Sequence, residues 1–438
     1  KSFKVNSVEG FEKAQANVHV GDTIVWFNGD YEDMNLKLTG SNIVFMSEKA
    51  GATTFSGSSS LIVTGSGNTV SGFQFIGGII KGDVVDISGS FNTIQHVNIQ
   101  SYDSHYYLRI RPNCQHNIIL HCNFESKPET QESSVVQVEA TKGLPGYHLI
   151  SHCSFINHTA PPGAGGDFGI EALRIGYSYQ RTFISRTIVE YCYFEKCNGD
   201  YEIISCKARE NLMRYNTFNN NGPAHLTLRH GSRNMVYGNF FMDGAGVRIK
   251  EGQNHSVINN YFDTGEQMAL QIQNHHFDPV DTVYISNNTF VSCSPLQLGG
   301  KGDYLPRNVS FASNIFTATI NPIFTNPTNT ETWEANIFQG EKEVIADGFS
   351  LVSFKMNKNE YGLSEVKFPD KSSVDFIHKE LSIFDIPVLD DDPLVELDIM
   401  KQKRTGKFNT TPGCYLPSGK TPLKCYASAD NTGPIYLH

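Results

Sequence analysis

The sequence is poor in charge. Asp, Glu, Lys and Arg supply 18% of its 438 residues, against the usual quarter, and the acids outnumber the bases by 45 to 35. A formal net charge of −10 excludes the usual nucleic-acid binder and gives no global attraction for an acidic ligand, so any anion site has to be local. Long apolar runs are also missing. Nothing approaches the length of a bilayer-crossing helix, so no membrane partner is expected. The chain opens at "KSFKVNSVEG" without an apolar signal region, which fits a mature or an intracellular form. None of the nine cysteines shows paired CxxC metal spacing. Six of them (Cys114, Cys122, Cys153, Cys192, Cys197 and Cys206) fall within strand-and-turn repeats, where a free cysteine is a small buried apolar residue. Cys414 and Cys425, in "CYLPSGKTPLKC", are placed to close a small loop as a disulfide.

Glycine (38), phenylalanine (29) and tyrosine (19) are plentiful, and "NNT", "GSG" and "NNNG" punctuate the chain, a β-rich profile. Two columns organise it. The first is an "x-x-F" ending carrying Phe124, Phe155, Phe194, Phe218, Phe241, Phe262, Phe290, Phe316 and Phe338. Two places earlier stand Cys122, Cys153 and Cys192, then Asn216, Asn239, Asn260, Asn288, Asn314 and Asn336, at successive spacings of 23, 21, 28, 26 and 22. A period of that size marks a solenoid. Leucine-rich repeats are excluded by the β-branched and aromatic content and by the lack of helical periodicity, which leaves an all-β, right-handed parallel β-helix. Stacked one per coil, about 4.8 Å apart, the asparagines hold a turn and are not catalytic.

The second column reads "LRIR", "VQVE", "LRIG", "YEII", "LTLR", "VRIK", "LQIQ", "LQLG". Its expected outward residues are Arg109, Gln137, Arg174, Glu202, Thr227, Arg248, Gln271 and Gln297, with Arg111, Arg229 and Lys250 at the margin. A polar strip of this kind suits a linear anionic polymer. Ser7 is a candidate N-cap for a short helix that presents Val8, Phe11 and Ala14 to the open first coil. The expected domains are a β-helix with its cap over 1–340 and an extension over 341–438 that packs on the last coils, with Asp390, Asp391 and Asp392 as solvated loop charges.

The chemistry concentrates in "NGDYEIISCK" and "HLTLRHG". Asp200 and Glu202 project from one strand face, Lys207 follows, and parallel stacking is expected to bring Lys207 near Arg229 and His230. For a uronic-acid polymer the matching reaction is β-elimination: neutralise the C6 carboxylate, abstract the C5 proton, expel the C4 oxygen. A glycoside hydrolase needs two carboxylates spaced across the scissile bond, and Asp200 with Glu202 is a poor pair for that. A carbohydrate-binding β-helix without catalysis is the other reading.

"YEIISCKARENLMRYNTF", "LTLRHG" and "LRIGYS", with the "GDTIVWFNGDY" entry, resemble polysaccharide lyase family 6, which includes alginate lyases and chondroitinase B. The resemblance covers roughly residues 15–340. It implies a parallel β-helix and eliminative cleavage of a uronate polymer. Lys207 then matches the family's base, Arg229 its arginine and His230 the following histidine, while Arg174, Arg248, Lys250 and Arg109 are candidate substrate contacts. Asp200 and Glu202 match paired calcium ligands, yet Phe168 stands where the family has an asparagine ligand, so a weakened site and calcium-independent elimination are expected, with Arg174 pairing Glu202 in place of the ion; activity restored by calcium would instead point to other oxygens, Glu171 or backbone carbonyls. Alginate is the expected substrate, dermatan or chondroitin the alternative, and the protein is expected to act as a secreted or periplasmic monomer.

Overall fold

The structure, a computed structural model, describes residues 1–128, 130–164, 166–273, 279–299, 304–320, 322–328, 330–339, 347–367, 397–404, 412–415 and 421–438. It is a parallel β-solenoid with very little helix. The chain falls into two compact units, 1–209 with 427–438, and 210–426.

In the first unit every coil after the opening strand and helix gives one strand to each of three parallel sheets. The first sheet runs from Ser2–Val5 to Ile188–Glu190, the second from Gly29–Glu32 to Tyr193–Cys197, and the third from Asn35–Leu38 to Glu202–Cys206. The helix Val8–Gln15 starts where expected: the Ser7 hydroxyl accepts from the Gly10 N–H at 3.2 Å, and the helix buries Phe11 and Ala14, with the Phe11 ring 4.9 Å from that of Phe45. Corners between sheets need a left-handed residue in each coil. His96, His121, His152 and Tyr191 take φ of 51, 49, 54 and 53° at one corner, where ring stacking at 4.9–5.3 Å offsets the strain of a bulky residue in that region.

The second unit repeats the design from Leu212–Arg214, Thr217–Gly222 and His225–Leu228 onward. Its phenylalanine column stacks as expected, Phe218 to Phe241 to Phe262 to Phe290 to Phe316, at 4.7–4.9 Å. Beside it each asparagine carbonyl accepts the backbone N–H of the preceding one, from Asn216 on Asn239 through to Asn314 on Asn336, at 2.9–3.0 Å. A second ladder escaped the sequence reading. Asn68 donates to Asn92, Asn92 to Asn117, and Asn117 to the Nδ1 of His148, so a histidine ends a run of amides.

The carboxyl-terminal region divides. Parallel pairing continues past residue 340, Asn336–Gln339 with Phe349–Val352. Ile399, Cys414 and Leu423 pack with Phe240 and Tyr261 in the second unit, whereas 427–438 belongs to the first, where Tyr436 donates its hydroxyl to the carbonyls of Phe73 and His96. The extension therefore does not sit on the last coils alone. Both Cys414 and Cys425 are free thiols, so the small disulfide loop is not formed. Asp390, Asp391 and Asp392 lie outside the described residues.

Candidate active site

Register in the first unit corrects the polar column at one coil. Arg109 pairs with Gln137 and Gln137 with Arg174, but Arg174 pairs with Ser205, not Glu202. "IISC" continues the column, and Glu202 begins the strand three positions earlier. The Ser205 hydroxyl donates to the Glu202 carboxylate, which ties the two together.

That shift gathers three carboxylates. Oxygens of Glu171, Asp200 and Glu202 all lie within 4.8 Å of one another, and all three residues are buried. Asp200 accepts from the Gly169 N–H at 2.9 Å and from the Glu202 N–H at 3.0 Å. Burial, followed by the charges of Glu171, Glu202 and Asp167, pushes its carboxyl up to about 7. Glu171, expected only as a fallback oxygen, is one of the three; its trace in the sequence is the "EALR" spacing that lets it bind Arg174. The Arg174 guanidinium clasps Glu171 at 3.1 and 2.5 Å, so it pairs with this residue and not with Glu202.

The donor set suits a hard divalent cation. It offers three oxygen ligands of negative charge, crowded enough that one holds its proton near neutrality. Glu171 makes up for Phe168, which offers no oxygen. The sequence-based expectation of a site thinned to two ligands therefore gives way to one with three candidates.

Lys207 directly follows the strand Glu202–Cys206, its backbone N–H on the Ile175 carbonyl at 2.8 Å. Arg109, three coils earlier, is already engaged: Nε and Nη2 hold Glu139 at 2.7 and 2.5 Å, with Asp83 at 3.5 Å. Arg111 makes a bidentate pair with Asp86. The cations expected to meet substrate in this unit are thus largely neutralised by carboxylates of the strip.

In the second unit Thr227, Arg248 and Gln271 stand in register as expected, with Gln271 paired to Gln297. Arg229 and His230 follow the strand His225–Leu228, and the Lys250 N–H donates to the Leu228 carbonyl at 3.0 Å. The Nδ1 of His230 is hydrogen-bonded to the buried carboxylate of Glu251, which fixes the ring. Glu251 went unanticipated, although "VRIKEG" aligned under "LTLRHG" puts it one coil from His230.

A parallel solenoid whose strip carries lysine, arginine and a carboxylate cluster defines a class, the β-helical polysaccharide lyases. The chondroitinase B family model matches residues 5–387, and the chain belongs to that family, within polysaccharide lyase family 6. No curated protein matches it by sequence. Among solved structures it is similar to the family 6 alginate lyase AlyGC, at 23% identity and a TM-score of 0.73, covering 84% of this chain and 56% of that one. A mannuronic acid-specific family 6 lyase from human gut microbiota is 24% identical with a TM-score of 0.69, over 80% and 91% of the two chains. A family 6 polysaccharide lyase from Pseudopedobacter saltans is 19% identical at 0.69, over 99% of both. The chain thus spans little more than half the length of AlyGC.

Proposed function

We propose that the protein is an alginate lyase that cleaves by β-elimination. The observation that carries this reading is the buried trio Glu171, Asp200 and Glu202 on the coils that lead into Lys207. Lys207 takes the C5 proton of a uronate. The C5–H electrons form the C4=C5 double bond, the C4–O bond breaks, and the departing oxygen receives a proton returned from Lys207 directly or through water. Arg229 stays protonated and hydrogen-bonds to that oxygen or to the carboxylate. His230, oriented by Glu251, acts beside Arg229. Glu171, Asp200 and Glu202 would hold calcium, which would supply the charge that neutralises the substrate carboxylate and so acidifies C5. A polymer of this size is met outside the cytoplasm, so the enzyme acts as a secreted or periplasmic protein, and as a monomer.

The family description favours a second substrate, dermatan or chondroitin sulfate. Polymannuronate, polyguluronate, mixed alginate and dermatan sulfate, each followed by ultraviolet absorbance of the unsaturated product, separate the two. Absorbance on alginates is expected. Absorbance on dermatan alone moves the assignment, and none on any polymer leaves a carbohydrate-binding protein.

A further inference from the structure

The outward residues of the first unit's strip run Asp86, Arg109, Gln137, Arg174, Ser205 in register. Gln137, in the middle, is 0% exposed, and its amide turns to its own neighbour's carbonyl, Val138, at 3.1 Å. Ser205 is sealed too, tied to the Glu202 carboxylate, so burial alone does not mark a closed coil; what crosses the Gln137 coil does.

Two tyrosines from the flanking coils meet across it. Tyr106 stands two residues before the strand Leu108–Ile110, and Tyr177 two residues after Leu173–Ile175. Their hydroxyls meet at 2.8 Å although the strand Val136–Val138, which carries Gln137, lies between those coils. The bridge is built rather than incidental. Tyr106 is 2% exposed, with the Arg109 guanidinium 5.5 Å from its ring centroid and held there by Glu139. Gly176, at φ 81°, turns the chain back toward the strip, and a Cβ there would press on Ala208 at 3.1 Å. The Gln180 side-chain carbonyl accepts from the N–H groups of Tyr177 at 3.0 Å and Ala140 at 3.1 Å, which pins the turn to the coil below. Beyond it Tyr179 stacks on Tyr177 at 5.6 Å and is 70% exposed.

We propose that this tyrosine bridge closes the strip to polymer on the amino-terminal side of the carboxylate cluster, so that the enzyme cuts close to a chain end and not within the chain. The inference rests on the lyase reading and adds its mode of action. From the Ser205 coil to the sealed Gln137 coil is two coil steps, about 10 Å, room for a short stub of sugar and no more. The exposed Tyr179 ring gives the terminal sugar a flat face to rest on.

Viscosity and ultraviolet absorbance followed in one alginate digest test this. Wild type should accumulate double bonds, with short products from the outset, before viscosity falls. Tyr177→Ala should lose several times more viscosity per double bond, with Tyr177→Phe between the two. A steep early viscosity loss in wild type, or an unchanged ratio in a folded Tyr177→Ala, overturns the proposal. Binding supplies an arm that needs no turnover. Lys207→Ala is titrated with long and short alginate at equal uronate mass, and bound sites should follow the number of chain ends; equal sites per uronate refute the bridge as a barrier. Failure of wild type to form any double bond removes the lyase reading instead, and the binding arm still decides the bridge.

Discussion

Lys207 can act as a base only once it has shed a proton that a free lysine holds to about 10.4. Turnover should therefore climb with pH above neutrality. Lys207→Ala should lower kcat by at least about 100-fold with an unchanged melting temperature, because a positioned general base is worth that much; a variant that keeps a tenth of wild-type kcat removes the assignment. Calcium is the second expectation at this scale, and the carboxylate trio argues for the opposite sign. The sequence shows two acids and a phenylalanine where a third ligand should be, and offers Glu171 only as a fallback, since nothing in the spacing says that it reaches Asp200 and Glu202 across the fold. With three buried carboxylates the expectation is that calcium binds in the absence of substrate. Calorimetry should register one site in wild type and lose it in Glu171→Gln and Glu202→Gln, while chelation abolishes activity and calcium restores it. Activity that survives exhaustive chelation, with no calcium heat in wild type, returns the carboxylate to Arg229 and His230.

At the scale of strands and ladders, what repeated was legible. The phenylalanine and asparagine columns recur often enough in the second unit to show through variable loops, and both stack as the spacing implies. The polar column failed at one coil, where "YEII" and "IISC" are equally good apolar frames and only pairing with Arg174 chooses between them. The Asn68, Asn92, Asn117 ladder stayed hidden because its next member is His148, which joins it as an acceptor and not as an amide. That substitution carries a cost in acid. His148 is 1% exposed, and burial, aided by nearby His116, pushes its pKa down to about 3. Its folded value lies below its unfolded one, so the stability present above pH about 6.5 is lost as pH falls toward 3, because only the unfolded chain takes up the proton. His148→Asn keeps an acceptor for the Asn117 N–H and removes the titration. It should melt like wild type at pH 8 and be more stable by about 2 kcal/mol near pH 5, read from thermal unfolding at both values. Parallel pH profiles for the two proteins would show that the ring is not held neutral by its ladder.

For the molecule as a whole, the consequence of a solenoid is that each coil is stabilised mainly by its neighbours, so damage stays local unless one element ties several coils together. The terminal residues 427–438 are such a tie within the first unit. The Tyr436 hydroxyl reaches the carbonyls of Phe73 at 3.2 Å and His96 at 3.0 Å, its ring lies against Gly51, and the Gly433 N–H donates to the His152 carbonyl at 2.8 Å. Those partners sit on four different coils. Burial of the corner they cover also lowers the pKa of His96, His121 and His152. Tyr436→Ala removes a partly buried ring and two hydrogen bonds, a loss of about 2 kcal/mol, below the 3–5 typical of a fully buried aromatic. Hydrogen exchange should then quicken in the strands Phe73–Ile76, Asn98–Gln100 and Ser154–His158, and remain as in wild type in Met235–Tyr237 and Asp281–Ser286. Uniform acceleration across both sets would mean that the chain opens as one cooperative body and that the tail does not act as a local clasp. No acceleration in the first set would mean that neighbouring coils already supply all the protection there.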